Sequence, residues 1–221
     1  MNRTPEPELM LEPEQAVAYA NADFAEAHAR FVDLFADRLR GRVIRGATLD
    51  LGCGPGDVAC RFAERFPDTV VYGVDGSEAM LKAGENLPLR RRLGSRVRLL
   101  HRLLPTTDLP LERFDIVISN SLLHHLEDPM VLWRSAIRHG SPGAPVFVMD
   151  LKRPENEEEV DRLVQLYTSD EPEVLRKDFR NSLHAAYTAP EVALQLRDAR
   201  LETLHIEVVT DRHLIVWGKL P

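Results

Sequence analysis

LDLGCGPGD, residues 49–57, is the stretch that decides the reading of this chain. The run ATLDL (47–51) leads into it as a strand, and a helical pattern over about 57–66 follows. Gly52, Gly54 and Gly56 let the backbone turn sharply between the two and let a ligand approach without a Cβ in the way. Cys53 and Pro55 fill the positions between them. The first turn of the following helix leaves N–H groups unpaired at a positive dipole end, which suits an anion such as a carboxylate.

A glycine loop alone is weak evidence, because nucleotide and dinucleotide binders use one too. Two features narrow the choice. The spacing is Gly-x-Gly-x-Gly, without the two-residue gap before the last glycine of the dinucleotide fingerprint, which weighs against a nicotinamide dehydrogenase. An acid, Asp50, precedes the loop, which suits a cationic ammonium better than a pyrophosphate. Nineteen residues after Gly56, at the end of the next apolar run VVYGV (70–74), stands Asp75. A carboxylate there can accept hydrogen bonds from two ribose hydroxyls. Together these residues describe a site for an adenosine that carries an amino acid.

Outward from the loop, short apolar runs alternate with helical patterns. A helix is expected from Ser77, then strands at VRLLH (97–101) and FDIVIS (114–119), a helix at about 128–139 and a strand at PVFVMD (145–150). Runs apolar on both faces, separated by helices, predict a parallel sheet covered on both sides. Beyond 150 come an acidic helix at about 156–167 and another at about 173–186. A capping box from Thr188 to Glu191 opens a last helix. Two strands, about 202–209 and 213–218, close the chain as antiparallel neighbours. Upstream, residues 1–12 are rich in proline and acid and are expected to fray. A short helix starts at Pro13-Glu14, and a second is expected from a capping box of Asp23 and Glu26 to about Arg40. Phe24, His28, Phe31 and Phe35 give that helix one buried face, on which His28 reads as a packing histidine rather than a ligand.

LDLGCGPGD, VYGVDGSEAM (71–80) and FDIVISNSLLHHLEDP (114–129), in this order and spacing, resemble the class I S-adenosylmethionine-dependent methyltransferases. The resemblance spans 47–150. It implies an α/β fold: a Rossmann-like, seven-stranded, mostly parallel sheet with an antiparallel last strand, helices on both faces and a helical lid. It implies S-adenosyl-L-methionine as cofactor, with the loop Asp50–Gly56 on the methionine portion and Asp75 on the ribose. Gly76, Ser77 and Met80 would flank ribose and adenine, and Asn120 and Ser121 would line the methionine end. Relatives often place an acid near the adenine amino group. Here that position falls at Pro105, which leaves the backbone at Leu103 and Leu104 to hold adenine.

Methyl transfer from a sulfonium needs alignment and exclusion of water, and a general base only when the acceptor must lose a proton. His124 and His125 read first as residues of the turn after the fourth strand, with His124 kept as a base candidate. The segment 151–190 is where relatives insert acceptor-binding elements. Val160, Leu163, Val164 and Tyr167 form one apolar stripe there, and Leu175, Phe179, Leu183 and Ala186 another. Asn181 and His184 lie beside the second stripe and lead to Tyr187. With Tyr19 from the N-terminal helices they form a candidate lid over the methyl group, with His184 and Tyr19 as further catalytic candidates. Asp150 and Arg153 follow the fifth strand at the sheet's ligand-binding edge and are candidates for touching the acceptor. The expected organisation is a single domain, with helical lids at 13–40 and 151–190 around a cofactor core at 47–150 and closing elements at 191–221.

Bulk properties agree with a small-molecule enzyme. The 221 residues are 44% hydrophobic and 29% charged, with a net charge of −7, which disfavours a nucleic-acid surface. The local cluster Arg90, Arg91, Arg92, Arg96, Arg98 and Arg102 reads as a solvated face. Two cysteines, Cys53 and Cys60, make neither a disulfide framework nor a metal-ligand spacing, so no metal is expected. No signal peptide and no run of about 18 apolar residues is found, and a cytoplasmic protein is expected. The leading expectation is methyl transfer to a small-molecule acceptor. The alternative is an S-adenosylmethionine-binding protein that does not methylate. The acceptor, the attacked atom and the oligomeric state are not written in the sequence.

Overall fold

The computed structural model describes residues 1–7, 9, 13–22 and 24–221. Seven strands, β1 (Gly46–Leu51), β2 (Thr69–Asp75), β3 (Val97–His101), β4 (Ile116–Asn120), β5 (Pro145–Leu151), β6 (His205–Val208) and β7 (His213–Lys219), form one sheet. Their order is β3-β2-β1-β4-β5-β7-β6. Pairing is parallel from β3 through β5 and antiparallel where β7 meets β5 and β6. This is the expected Rossmann-like sheet with its antiparallel closing strand.

The helices are α1 (Pro13–Asn21), α2 (Ala25–Arg38), α3 (Asp57–Arg65), α4 (Glu78–Gly84), α5 (Leu87–Arg90), α6 (Met130–His139), α7 (Glu157–Thr168), α8 (Glu173–Ala185) and α9 (Ala189–Asp198). A 3-10 turn, Leu123–His125, follows β4. The sheet is apolar on both faces because each face has its own helical cover. Along β5, Val146 and Val148 enter one core with Trp133 of α6 and Leu196 of α9. Phe147 and Met149, one residue out of phase, enter the other with Phe31 and Phe35 of α2 and Phe62 of α3. Phe31 and Phe35 meet Phe147 edge to face, with ring centroids 5.0 and 5.7 Å apart. Burying each such ring contributes about 1.5–3 kcal/mol.

The helix ends follow the sequence in part. Thr188 and Glu191 form the expected reciprocal capping box of α9, and the Asn156 side chain caps α7. The box expected at Asp23 lies outside the described residues. The first seven residues depart from the expectation of a frayed tail, because they form a strap hydrogen-bonded across α8 and the 3-10 turn. Arg3 donates from Nε to the Ala185 carbonyl at 2.6 Å and from Nη2 to the His124 and Leu126 carbonyls at 3.0 Å. Its guanidinium lies 4.1 Å from the centre of the Tyr187 ring. The Thr4 amide donates to the His184 carbonyl, and Ser182 Oγ donates to Glu6 Oε1, both at 3.0 Å. Helix and turn ends leave carbonyls without partners, and the strap supplies the donors.

β1 is the switch point of the sheet: the chain leaves it toward β2 and β3 on one side, then returns to place β4 on the other. In such sheets ligands bind outside the carboxyl ends of the strands at that point. The loops after β1, β2 and β4 all converge there.

Candidate active site

A cavity opens at the carboxyl ends of β1, β2 and β4, with about 990 Å³ of empty space including its mouth. The glycine loop forms its floor. Gly54 holds φ at 53°, and a Cβ added there would meet Met80 Cε at 3.3 Å. Gly84, at the end of α4, packs so close to the loop that a Cβ would overlap the Pro55 carbonyl. Both glycines bring backbone close to its neighbours, and Gly84 was missed in the sequence.

Asp50 is buried, and neither of its carboxylate oxygens has a hydrogen-bond partner among the described residues. Burial, and then the nearby Asp75 charge, push its pKa up to about 8. A buried carboxyl without a donor is costly unless a cation or donor meets it. Asp75 is better supported: its two oxygens accept from the Gly54 and Ser77 amides, each at 2.8 Å. Burial still raises its pKa above the usual carboxylate range. Each Asp75 oxygen keeps a second lone pair for a ligand hydroxyl. Ser77 caps α4 by accepting from the Met80 amide at 3.2 Å.

Across the cavity, Ser121 stands with φ at 56°, a conformation unusual for a side chain larger than glycine. Its hydroxyl accepts from the Asn120 amide nitrogen at 3.2 Å. Tyr19 of α1 and His28 of α2 complete the wall above the loop. Burial, and then Asp75, push the Tyr19 hydroxyl up to about 12, so it is neutral at physiological pH. His28 Nδ1 is 2.8 Å from Asp57 Oδ2, and Asp57 is also held by Arg61 and Arg91. Burial opposes ionisation of Asp57, but the His28 and Arg61 hydrogen bonds outweigh it and lower its pKa.

The acceptors and apolar wall fit an adenosine that carries an amino acid. The buried Asp50 suits an ammonium, Asp75 suits ribose hydroxyls, and Met80, Leu103 and Leu104 give an apolar wall.

A family model described as a methyltransferase domain matches residues 49–146. Residues 49–146 carry a methyltransferase domain of the class I S-adenosylmethionine-dependent type. An uncharacterized methyltransferase of Mycobacterium tuberculosis is 38% identical over 85 residues, covering 36% of this chain and 38% of that protein. The chain therefore spans well under half the length of that relative. A SAM-dependent methyltransferase structure from Aquifex aeolicus aligns over 96% of this chain and 100% of its own, with a TM-score of 0.67 at 17% identity. The cyclase SpnF aligns over 100% of this chain and 98% of its own, with a TM-score of 0.70 at 16% identity. These two likenesses concern the fold.

Within this methyltransferase fold, the residues expected around the cofactor converge. Asp50, Gly52, Cys53, Gly54, Pro55, Asp75, Gly76, Ser77, Met80, Leu103, Leu104, Asn120 and Ser121 all line the cavity. Gly56 stands just behind, capping α3 with φ at 86°. The expected acceptor residues fare differently. Tyr19 is on the wall, but no residue from 151–190 is. Asp150 is buried and accepts from the Leu123 and Leu151 amides and from His124 Nδ1. Arg153 donates to the Ala186 carbonyl and to Glu191 Oε1. Tyr187 donates its hydroxyl to the Leu126 carbonyl at 3.0 Å. His184 lies 3.5 Å from Glu157, and neither it nor Asn181 reaches the cavity.

The reason is packing. α7 and α8 bury their stripes against each other and Leu151, and α8 faces the strap with Ser182. Of the two helical blocks expected to form a lid, only α1 and the start of α2 reach the cavity wall, through Tyr19 and His28. His28, His125, Leu9 and Asp57 line the cavity and were not expected there. His28 is also a packing residue, as expected, but its hydrogen bond to the first residue of α3 brings it to the mouth.

Among the basic cluster, Arg91 pairs with Asp57 and Glu64, Arg96 donates to the Ala63 carbonyl, and Arg102 pairs with Asp108. Among the described residues no helix is long and apolar enough to cross a membrane.

Proposed function

We propose that this chain binds S-adenosyl-L-methionine in the cavity at β1, β2 and β4 and transfers its methyl group to a small-molecule acceptor. The observation that carries the reading is Asp50, a buried carboxyl group without a partner among the described residues, beside a glycine floor and an opposed ribose acid. When bound, the cofactor supplies an electrophilic methyl carried by a sulfonium. Asp50 holds the ammonium, and Asp75 holds the ribose while keeping the loop in place through Gly54. Leu103, Leu104 and Met80 bound the adenine.

Ser121 and Asn120 fix the end of the cavity nearest β4. Tyr19 and His28 close it from above and exclude water from the acceptor. Because Tyr19 stays neutral, its hydroxyl orients an acceptor oxygen or nitrogen rather than removing a proton. His28 has the proton-accepting role where the acceptor must lose one, since its ring stands at the mouth with Asp57 fixing its orientation. Asp150 and His124 support the turn after β4, Arg153 holds the entry to α9 through Ala186 and Glu191, and none of the three touches the acceptor. The enclosed cavity and the acidic overall charge favour a small molecule over a nucleic acid.

Incubation with S-adenosylmethionine labelled in its methyl group and a fractionated metabolite extract tests the reading. Label carried to a low-mass product, and reduced by Asp75→Ala, supports it. Saturable cofactor binding with no label leaving the cofactor in any fraction would favour the non-methylating alternative.

A further inference from the structure

Outside the cofactor contacts, one group of metal-ligating side chains converges where the strap meets the turn after β4. Glu6 comes from the strap, and His124 and His125 come from the 3-10 turn after β4. One donor atom from each lies within 4.8 Å of the other two. Glu6 Oε1 stands 3.2 Å from His125 Nδ1 and 3.5 Å from His124 Nε2.

The hydrogen bonds around the cluster fix which atoms carry lone pairs. His124 Nδ1 meets Asp150 Oδ1 at 2.5 Å, and a carboxylate that already accepts two amides can only accept. That nitrogen therefore carries the proton, and Nε2 is left facing Glu6 with a lone pair in the neutral ring. His125 is hydrogen-bonded to the Pro7 backbone, and a proline offers only a carbonyl. The ring must donate there. His125 Nδ1 is buried without a hydrogen-bond partner among the described residues, so the donating atom is Nε2. Its Nδ1 then points a second lone pair at Glu6. With His124 neutral, two imidazole lone pairs and a carboxylate face one another with little access to water. The repulsion is relieved either by a proton on His124 Nε2, which Asp150 and Glu6 favour against burial, or by a metal cation between them.

We propose that Glu6, His124 and His125 form a binding site for a divalent transition ion of zinc type, which fastens the strap to the turn after β4. The donor set of two imidazoles and one carboxylate is that of zinc and non-haem iron centres. Tetrahedral ligands at about 2.0–2.2 Å from an ion stand roughly 3.3–3.6 Å apart, close to the two separations observed. Asp150 supplies the carboxylate that commonly orients a metal-bound histidine through its other nitrogen. Three protein ligands leave a coordination position open, and His125 is itself on the cavity wall. The site does not depend on the proposed reaction, since its residues are outside the contacts assigned to the cofactor.

Chelator-treated full chain titrated with Zn²⁺ alone, by calorimetry, is expected to bind one equivalent. Titration with Co²⁺ is expected to give the intense visible bands of a low-symmetry, four- or five-coordinate site. Glu6→Gln and His125→Gln should each weaken Zn²⁺ binding tenfold or more. Zn²⁺ should also raise the melting temperature of the wild type and not of Glu6→Gln. Failure to bind stoichiometrically, or Co²⁺ spectra of the aqueous ion, would overturn the proposal. So would equal affinity in folded Glu6→Gln and His125→Gln variants, which would mark adventitious binding elsewhere. Should either variant fail to fold, the Co²⁺ spectrum of the wild type decides alone.

Discussion

Replacing Asp50 by asparagine should flatten the pH dependence of stability of the ligand-free protein. The Asp50 carboxyl is buried, its oxygens lack partners among the described residues, and its pKa stands at about 8 against an ordinary 3.8. Below about pH 4 the group is protonated in both folded and unfolded chains and contributes no difference. Between about pH 4 and pH 8 the unfolded chain ionises while the folded one retains the proton. Stability therefore falls as pH rises, by up to about 1.4 kcal/mol per pH unit. Above about pH 8 the penalty is constant, with an upper bound on the order of 5 kcal/mol. Asparagine cannot ionise, and its unpaired amide carries a cost of about 1–3 kcal/mol that does not vary with pH. Urea unfolding of both proteins without cofactor, at about pH 5, 6, 7 and 8, gives the difference directly. The account expects the variant to gain on the wild type at each step. A difference that stays constant across the series would refute the burial argument.

Asp75→Ala should keep the fold and weaken cofactor binding roughly ten- to a hundredfold, since charge-assisted bonds to ribose contribute about 1.5–3 kcal/mol. Unchanged affinity by calorimetry would remove Asp75 from the site. Gly54→Val should abolish binding, because φ at 53° and Met80 at 3.3 Å leave no unstrained place for a branched side chain. Normal equilibrium dialysis of labelled cofactor with that variant would contradict the assignment of the floor. Trp133→Phe should cost about 1–3 kcal/mol of stability, as it leaves the Gln195 carbonyl without the Nε1 donor that meets it at 3.0 Å. Denaturant midpoints matching the wild type would show that Gln195 finds another partner. Hydrogen exchange should show cofactor protecting α1 and the start of α2 but not α7 or α8, and equal protection in both blocks would restore the larger lid.

The sheet was legible because its strands are apolar on both faces, and helices between them leave a parallel arrangement as the simple solution. VVYGV and PVFVMD announce this in composition alone. That β7 rather than β6 pairs with β5 was not legible, since a closing hairpin can be inserted either way round. The cofactor floor was legible because backbone approach demands glycine at fixed positions, and Asp50 and Asp75 are set by strand ends. His28 and Asp57 were not linked in advance, because their contact joins residues 29 apart whose only shared signal is charge. The strap escaped notice for a different reason. Arg3 and Thr4 bond to carbonyls of Ala185, His124 and His184, which carry no trace in side-chain pattern. The same strap takes up Ser182 on α8, where polar residues had suggested a face turned to the acceptor.

Calorimetric titration of the wild-type chain with S-adenosylhomocysteine, the demethylated cofactor, tests the central claim most directly, because this ligand keeps the ammonium, ribose and adenine. At about pH 7 Asp50 must give up its proton to pair with the ammonium, so binding should release close to one proton. The account predicts saturable one-to-one binding, with an observed enthalpy that changes with the ionisation enthalpy of the buffer in the direction of proton release. No saturable heat with a folded protein, or binding whose enthalpy is the same in every buffer, would contradict it.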